Sequence, residues 1–277
     1  MRIVTLQRIA SGLSLPATTL SGSSAGGILR PEPLRSRQFV TTIALPMVIL
    51  LLTVAGRAQD FTYATNAGQI HITGYTGTGG AVVIPATITG LPVTVIGSYA
   101  FQDLTNLTSV AIPSTVTTIE DWAFAFTTLK KLVIPSSVTQ ISQWAFAYSY
   151  ELAHVYFQGN APTIYDTDDN NFDPFGGVET VYYLPGTTGW SPTFGGRIAG
   201  SVVLWNPTAS ATGLQAGQFG FTITASSSLV VVVEACTDLT TLDWNPVSTN
   251  ALTGGSTYFS DPQWSSFPSR VYRLRPR

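Results

Sequence analysis

The sequence predicts a mainly β protein in which a short solenoid, with compact 3-10 or single-turn helical returns, is followed by a small β-sandwich-like domain. Two observations support this prediction. Similar phrases recur about every 22 residues through the middle of the chain, and charged residues make up only 10% of a sequence rich in Thr, Ser and Gly. Low charge combined with many β-forming residues is typical of all-β and solenoid proteins.

The repeat consists of two phrases that alternate along the chain. The phrase Ile-x-x-x-Ala-Phe stands at 96–101, 119–124 and 141–146. The phrase Leu-x-x-Val/Leu-x-Ile-Pro stands at 107–113 and 129–135, with a degenerate copy at 152–157. The period is therefore 22 to 23 residues, which lies within the range of leucine-rich repeats.

Each repeat is expected to form one coil of the solenoid. Residues 107–112 have the apolar spacing of a short strand, and Pro113 ends that strand because proline has no N–H to continue a hydrogen-bonded ladder. A second short strand is expected at 116–119, and the Ala-Phe pair then forms a tight return with Phe in the interior. Stacked coils would align these apolar residues in columns, which about three or more repeats are needed to bury.

The solenoid is predicted to occupy residues 59–200, with caps at both ends. Alternating apolar and polar residues at 61–73, interrupted by Asn66-Ala-Gly68, predict an opening hairpin. Residues 81–88 read as a truncated copy of the repeat, since Ile84-Pro85 matches the Ile-Pro of later copies.

The far end of the solenoid is expected to close with a strand at 178–185, covered by residues 186–200. Residues 201–213 are predicted to be one more strand and a small, polar linker. Short strands at regular intervals then predict a C-terminal β module at 214–277.

The repeat phrases resemble the BspA-like class of bacterial leucine-rich repeats, over roughly residues 61–196. That class often has Cys between Ala-Phe and Leu, where this chain has Leu104, Thr127 and Ser149. Members of the class are typically exported or surface proteins, several of them similar to adhesins that bind host or matrix proteins. The resemblance implies no shared catalytic residues.

The N-terminal 58 residues are expected to be a targeting region. Residues 1–34 show no sustained pattern and are interpreted as an unstructured or wrongly assigned extension. Residues 35–58 combine Arg35 and Arg37, an apolar run and a small-x-small exit, which predicts a secretory signal peptide. The alternative is a transmembrane anchor, although the run is shorter than the roughly 20 residues that a span needs. The mature protein is thus expected to be secreted or at a bacterial cell surface or periplasm.

The charge balance argues against nucleic acid as a partner. After residue 58 the chain has seven basic and 14 acidic residues, and the only bases between 61 and 200 are Lys130, Lys131 and Arg197. Binding to nucleic acid requires a basic face, which this composition does not supply. Contact with a membrane is expected only through the signal segment, if it remains uncleaved.

No catalytic motif is recognisable. The two histidines, His71 and His154, lack Ser or Asp partners at a known spacing, and Cys236 is expected to be a small buried residue. Residues 166–173 begin like a calcium loop but lack the Gly and Glu that such a loop needs, so an acidic surface loop is the preferred interpretation. We therefore predict no enzyme activity, no cofactor and no metal site.

The aromatic residues around each Ala-Phe pair are the candidate ligand-binding site. Tyr99, Trp122 and Trp144 precede the pairs, and Phe126 and Tyr148 follow two of them. In a solenoid the first three would lie about 5 Å apart, one above another. Either these rings pack on one another at the solenoid edge, or they form an exposed ladder that binds a sugar chain or an apolar protein patch.

The sequence therefore favours an exported, non-enzymatic repeat protein that binds a protein or a polysaccharide through its solenoid. The alternative is a structural or spacer element of the cell surface with no specific ligand. A hydrolase is disfavoured, since no paired acid and base are recognisable.

Overall fold

The computed structural model describes residues 5–7, 40–41, 60–165, 178–196, 202–241 and 243–277. The chain divides into two compact units between Asn206 and Pro207. In the part that the structure describes, no helix is long and apolar enough to cross a membrane. The predicted extension and signal peptide lie outside the described residues, apart from strands β1 (Thr5–Gln7) and β2 (Val40–Thr41).

The first unit is a solenoid built from short strands. These are β3 (Phe61–Asn66), β4 (Gln69–Tyr75), β5 (Gly80–Val83), β6 (Thr87–Ile88), β7 (Leu91–Ile96), β8 (Leu107–Ala111), β9 (Thr118–Ile119), β10 (Lys131–Ile134), β11 (Gln140–Ser142), β12 (His154–Phe157), β13 (Thr163–Tyr165), β14 (Thr180–Tyr183) and β15 (Val202–Leu204).

One side of each coil is a strand that ends at the Ile-Pro phrase or its equivalent. Strand β5 pairs in parallel with β8, and β10, β12, β14 and β15 form a second parallel sheet in that order. Leu132, Val155 and Val181 align across three of these strands and are buried. These alternating positions form the predicted apolar column on this side.

The next side is a parallel sheet of β4, β7, β9, β11 and β13, to which β3 adds antiparallel as the predicted opening hairpin. Ile96, Ile119, Ile141 and Ile164 align in register across the four later strands. Their spacing of 23, 22 and 23 residues confirms the predicted period. The first three are fully buried, so the repeat is set by a core column rather than by surface residues.

The extra residues between the first two copies form a hairpin. Strand β6 pairs antiparallel with β7 through a turn at Thr89-Gly90, whose φ angles of 52° and 83° are those of a type I′ turn. The insertion therefore lengthens one strand and leaves the stacking of the coils intact.

The third side consists of the Ala-Phe returns, which are stacked turns. Phe101, Phe124 and Phe146 lie in the interior with no exposed surface, and their ring centroids are 4.8 Å and 5.4 Å apart. This confirms the predicted Phe column. The return itself is a succession of i-to-i+3 turns rather than a 3-10 helix, because positive φ angles interrupt it.

The C-terminal end of the solenoid extends one strand beyond the predicted closing strand. Strand β14 is followed in the same sheet by β15, and Trp205 just after it is buried. Trp190 packs on Phe157 and Phe194, as expected of a segment that covers the end. Thus residues 202–206 belong to the solenoid.

The second unit contains two three-stranded antiparallel arrangements, and it agrees with the predicted sandwich-like module. One sheet has the order β16-β17-β20, and in the other β18 lies between β19 and β21. Strand β21 also pairs with β1. The strands are β16 (Thr208–Gln215), β17 (Gln218–Thr224), β18 (Val230–Cys236), β19 (Asn245–Ala251), β20 (Ser256–Asp261) and β21 (Val271–Pro276).

Aromatic contacts join the two sheets of this unit. Tyr272 of β21 lies 5.9 Å from Phe221 and 5.8 Å from Phe259, ring centroid to ring centroid. Asp261, which is fully buried, accepts hydrogen bonds from the Tyr272 hydroxyl and from Arg270, both at 2.6 Å. The buried charge is thus paired, as stability requires.

Residues 201–213 were predicted to be a strand followed by a linker. The strand is present as β15, whereas residues 208–213 belong to β16, an eight-residue strand, where a linker was expected. Strand β16 is at the edge of its sheet and has no fully buried residue, so its composition lacks the apolar alternation that marks most strands.

Candidate functional site

Each Ala-Phe return places an aromatic residue in an unusual backbone conformation. Tyr99, Trp122 and Trp144 have φ angles of 63°, 58° and 60°. In the first two returns, this aromatic residue precedes an Ala whose N–H closes an i-to-i+3 turn. In the second return, for example, the Ala123 N–H donates to Glu120 C=O at 3.3 Å. This is the third position of a type II turn, which normally requires Gly or Asn.

A second position with positive φ follows four residues later in the same return. Phe126 and Tyr148 both have a φ angle of 57°, and Asp103 at the equivalent place in the first return has a φ angle of 60°. Bulky side chains rarely adopt this region, which costs roughly 1–2 kcal/mol per residue. The stacked returns therefore hold five aromatic residues in a strained conformation, and these five are the predicted candidates.

Hydrogen bonds between neighbouring coils impose this conformation. The Asp103 N–H donates to Ala125 C=O at 3.0 Å, and the Phe126 N–H donates to Ala147 C=O at the same distance. Because every return is fixed to the next one at equivalent atoms, the backbone of each copy must follow its neighbour.

A buried polar pair lies beneath the turns. Ser149 Oγ is 2.9 Å from Thr127 Oγ1, accepts from the Thr127 N–H at 3.1 Å and donates to Phe124 C=O at 2.9 Å. Both side chains are buried. These are two of the three positions where the BspA-like class often has Cys, so a hydrogen-bonded pair occupies the space here.

The four aromatic rings of the second and third returns form two parallel layers, which we term the aromatic layers. Trp122 and Phe126 form the first layer, and Trp144 and Tyr148 the second. The Trp122 and Trp144 centroids are 5.1 Å apart with the planes at 10°, and the Phe126 and Tyr148 centroids are 4.7 Å apart at 9°. Within the layers the centroids are 6.2 Å apart at interplanar angles of 14° and 10°. The rings therefore stack between layers and lie side by side within a layer.

The rings of the aromatic layers pack on one another and are also partly exposed to solvent. Trp122 and Trp144 are half-buried, whereas Phe126 and Tyr148 each remain 38% exposed. Tyr150, also exposed, meets Tyr148 edge-on at 6.1 Å. Stacking covers the ring faces between the two layers, so at that contact solvent reaches only ring edges.

The stack does not continue to Tyr99. Its side chain is 58% exposed, and among the described residues no ring contact joins it to Trp122. The backbones of the two returns are nevertheless adjacent, since the Tyr99 N–H donates to Asp121 C=O at 3.1 Å. The structure thus brings four of the five predicted residues together and leaves the fifth at the margin.

His71 on β4 lies beside an acidic residue that follows β9, two strands away in the same sheet. Its Nε2 is 3.3 Å from Glu120 Oε2, and the Ser98 N–H and hydroxyl each lie 3.1 Å from the same oxygen. A Cβ at Gly97 would overlap the imidazole, which explains glycine there. The hydroxyl is on the carboxylate rather than on the imidazole, so the group lacks the nucleophile-to-base contact of a hydrolase triad.

A second aromatic group, missed in the sequence, lies on the outer side of the sheet that β10, β12, β14 and β15 form. Tyr156 and Tyr182 align on β12 and β14, and their rings stack at 5.0 Å and 5°. His154 lies 5.8 Å from the Tyr182 ring. Burial raises the pKa of Tyr182 above its ordinary value, with a smaller contribution from nearby Glu179, while a hydrogen bond to Thr180 opposes the rise. The alternation of the degenerate repeat copies could have revealed this group.

The acidic loop 166–173, considered for calcium, lies entirely outside the described residues. Elsewhere, the residues that the structure describes contain no group of three His, Cys, Asp or Glu placed to hold a metal ion. Cys236, at the end of β18, is buried as predicted.

Comparison with solved structures finds three bacterial leucine-rich repeat proteins. A leucine-rich repeat protein from T. pallidum is 22% identical, with 47% of this chain and 86% of that chain covered and a TM-score of 0.28. One from Bacteroides ovatus is 18% identical, covering 45% and 48%, with a TM-score of 0.24. A leucine-rich cell surface protein from Faecalibacterium prausnitzii is 22% identical, covering 45% and 53%, with a TM-score of 0.24. The chain spans about half the length of the latter two.

Comparison with curated proteins gives no match. A family profile, however, matches the repeats directly. The profile described as "BspA type Leucine rich repeat region" fits residues 82–180 in six copies. Those residues carry the 22- to 23-residue register of the isoleucine column. Residues 82–180 are therefore a leucine-rich repeat region of the BspA type.

Proposed function

We propose that this chain is an exported, non-enzymatic protein that binds a protein or polysaccharide ligand through the aromatic layers of its solenoid. One observation carries the proposal: aromatic side chains occupy turn positions of positive φ, where they are strained, and remain partly exposed. Strain of this kind persists where the surrounding structure enforces it, and it is concentrated at functional sites.

Core packing does not explain the choice of these side chains. The interior of the same returns is already filled by the fully buried Phe column. A glycine at position 126 or 148 would relieve the backbone and leave that column in place. Exposed aromatic side chains are, in contrast, the side chains that most often anchor binding partners.

Export is supported by the sequence around residues 35–58. A basic start, an apolar run and small residues at Gly56 and Ala58 are the features that a signal peptidase substrate requires. N-terminal sequencing of the mature protein tests this part of the proposal, with Gln59 expected as the first residue.

The binding proposal is tested with glycan and matrix-protein arrays. The wild type is compared with the double variant Phe126→Ala/Tyr148→Ala and with Tyr63→Ala. Tyr63 is a matched control, because it is 39% exposed on the edge strand β3, away from the returns. We expect the double variant to lose binding to the ligands that the wild type retains, with an unchanged circular dichroism spectrum.

Two results would count against this function. Equal losses in Tyr63→Ala would show that the aromatic layers are not the binding surface. Retention of all binding in the folded double variant, or no binding by the wild type, would favour the alternative role of a spacer at the cell surface.

A further inference from the structure

We infer that the aromatic layers take a cationic side chain, an arginine or a lysine, presented by a protein partner. This rests on the proposed function and narrows it to one class of ligand. The relevant surface is the side of the first layer, Trp122 and Phe126, that faces the first return.

On this side of the first layer, no ring stacks on Trp122 or Phe126 among the described residues. The opposite faces of Trp122 and Phe126 lie against Trp144 and Tyr148, at 5.1 Å and 4.7 Å. On the other side the stack stops, because Tyr99 is 58% exposed and makes no ring contact with Trp122 among the described residues. A ring face therefore remains for a ligand.

An acidic residue occupies the register position next to this ring face. Asp103 has the register position of Phe126 and Tyr148, with the same positive φ and the equivalent hydrogen bond to the next return. Its side chain is exposed, and its N–H bonds to Ala125, the residue directly before Phe126. At the register position that the two rings occupy, the first return thus carries an acidic residue instead of a third ring.

An aromatic face beside a carboxylate favours a cation. The face of a ring carries negative electrostatic potential and attracts ammonium or guanidinium groups. A carboxylate adds a charge-assisted hydrogen bond to the same group. A neutral sugar would gain from the ring face and from hydrogen bonds, but it would not gain from the charge.

Elsewhere in the chain, an aromatic ring and a carboxylate together contact an arginine. In the second unit, Arg273 lies over the Trp244 ring with its Cζ 4.4 Å from the centroid. The same guanidinium donates to Glu234 at 2.7 Å. An indole face and a carboxylate together therefore hold an arginine within this protein. Trp122 of the second return and Asp103 of the first return supply the same two kinds of group, and no cation lies over Trp122 in the described contacts.

The distribution of charge agrees with a basic partner. Residues 60–200 contain ten acidic and three basic residues, whereas residues 207–277 contain four of each. Glu120 and Asp121 directly precede Trp122. The excess negative charge of the mature chain thus resides in the solenoid and would accelerate association with a positively charged protein surface.

The inference is tested by NMR titration of the full chain, with the indole N–H of Trp122 as the local probe and its signal assigned through Trp122→Phe. The probes are the peptide Gly-Ser-Arg-Gly-Ser-Arg-Gly, the same peptide with citrulline in place of arginine, and cellohexaose. We expect the arginine peptide to shift the Trp122 signal and leave Trp264 unchanged. Citrulline has nearly the shape of arginine without its charge. We therefore expect the citrulline peptide to bind at least about 5-fold more weakly than the arginine peptide.

Two charge variants complete the test. Asp103→Asn keeps a residue that tolerates positive φ, and we expect it to weaken the arginine peptide about 5-fold. Glu179→Gln removes the same charge from an exposed position before β14 and should leave binding unchanged. Equal losses in both variants would mean that general charge attraction is responsible, which overturns the inference.

The remaining outcomes separate the inference from the proposed function. A shift of Trp122 with cellohexaose but not with the arginine peptide would retain the binding site and reject the cationic ligand. No shift with either probe would also reject the cationic ligand, while the array experiment would still decide the proposed function.

Discussion

Two columns of aromatic side chains run along this solenoid two residues apart in the sequence, and they differ in nearly every physical respect. Phe101, Phe124 and Phe146 are fully buried and have ordinary negative φ angles. Trp122 and Trp144, which precede two of these, are half-buried and have φ angles near 60°. The buried Phe column stabilises the stacking of the coils. The Trp column, in contrast, adopts its positive φ angles only because the coils are stacked.

The free energies of burial and of backbone strain show that the second column depends on the first. Burying a phenylalanine contributes about 2–3 kcal/mol, whereas a bulky residue at positive φ costs about 1–2 kcal/mol. A coil held by its Phe column and its backbone ladder can therefore tolerate the strain of the second column. A single return without neighbours could not.

Phe124→Ala should have the largest effect. Phe124 stacks between Phe101 and Phe146 with no exposed surface, so truncation leaves a cavity in the middle of the column. We expect the free energy of unfolding to fall by about 3–5 kcal/mol, measured by urea denaturation. Phe124→Leu is the control, since it retains most of the volume and should lose less. Equal losses for Leu and Ala would indicate that ring stacking, and not volume, stabilises the column.

Ser149→Ala should rank second, because Ser149 links the two columns. Its hydroxyl binds Thr127 beneath the aromatic layers and the carbonyl of Phe124 in the core column. Removal leaves the buried Thr127 N–H unpaired and should cost about 1–3 kcal/mol. The exposed Ser136 provides a control, Ser136→Ala, that should change stability by less than about 0.5 kcal/mol. A cost for Ser149→Ala no greater than for the control would contradict this role.

The core column was predictable from the sequence, and the strained column was predictable only in part. Isoleucine and phenylalanine recur at fixed spacing because the parallel ladder fixes which residues face inward. The same spacing placed Trp122 above Trp144. Sequence could not reveal the positive φ of Trp122, since propensity disfavours aromatic residues there and only the bonds to the neighbouring coil impose it. Nor does spacing explain why Tyr99 leaves the stack.

The ends of each unit were harder to predict than the repeats. The closing strand was placed at 178–185, but the sheet continues to β15, because its Val-Val-Leu strand supplies one more row of apolar residues. Residues 208–213 looked like a linker, since an edge strand exposed on both faces needs no apolar alternation. Edges and ends have one neighbour instead of two, and their sequences are correspondingly less constrained.

Phe126→Ala and Phe126→Gly form a pair of variants that measures the strain directly. Both lose the stacking on Tyr148, but only glycine also relieves the φ angle of 57°. Alanine should cost about 2 kcal/mol and glycine about 1 kcal/mol, measured by urea denaturation. At Phe124, where φ is negative, the order should reverse, with glycine the more destabilising residue. The same order at both sites would show that the second column is unstrained.

Asp103→Gly should have the smallest effect on stability and the opposite sign. Asp103 is exposed, has a φ angle of 60° and makes no side-chain hydrogen bond or ion pair with the described residues. Relief of the backbone exceeds the entropy that glycine gains in the unfolded chain, so the free energy of unfolding should rise by about 0.5 kcal/mol.

If Asp103 contacts a cationic ligand, the same variant should bind the arginine peptide more weakly. If Asp103→Gly stabilises the fold and weakens binding, the role of Asp103 is recognition of the ligand and not support of the turn. A loss of stability in Asp103→Gly would instead show that the carboxylate supports the turn.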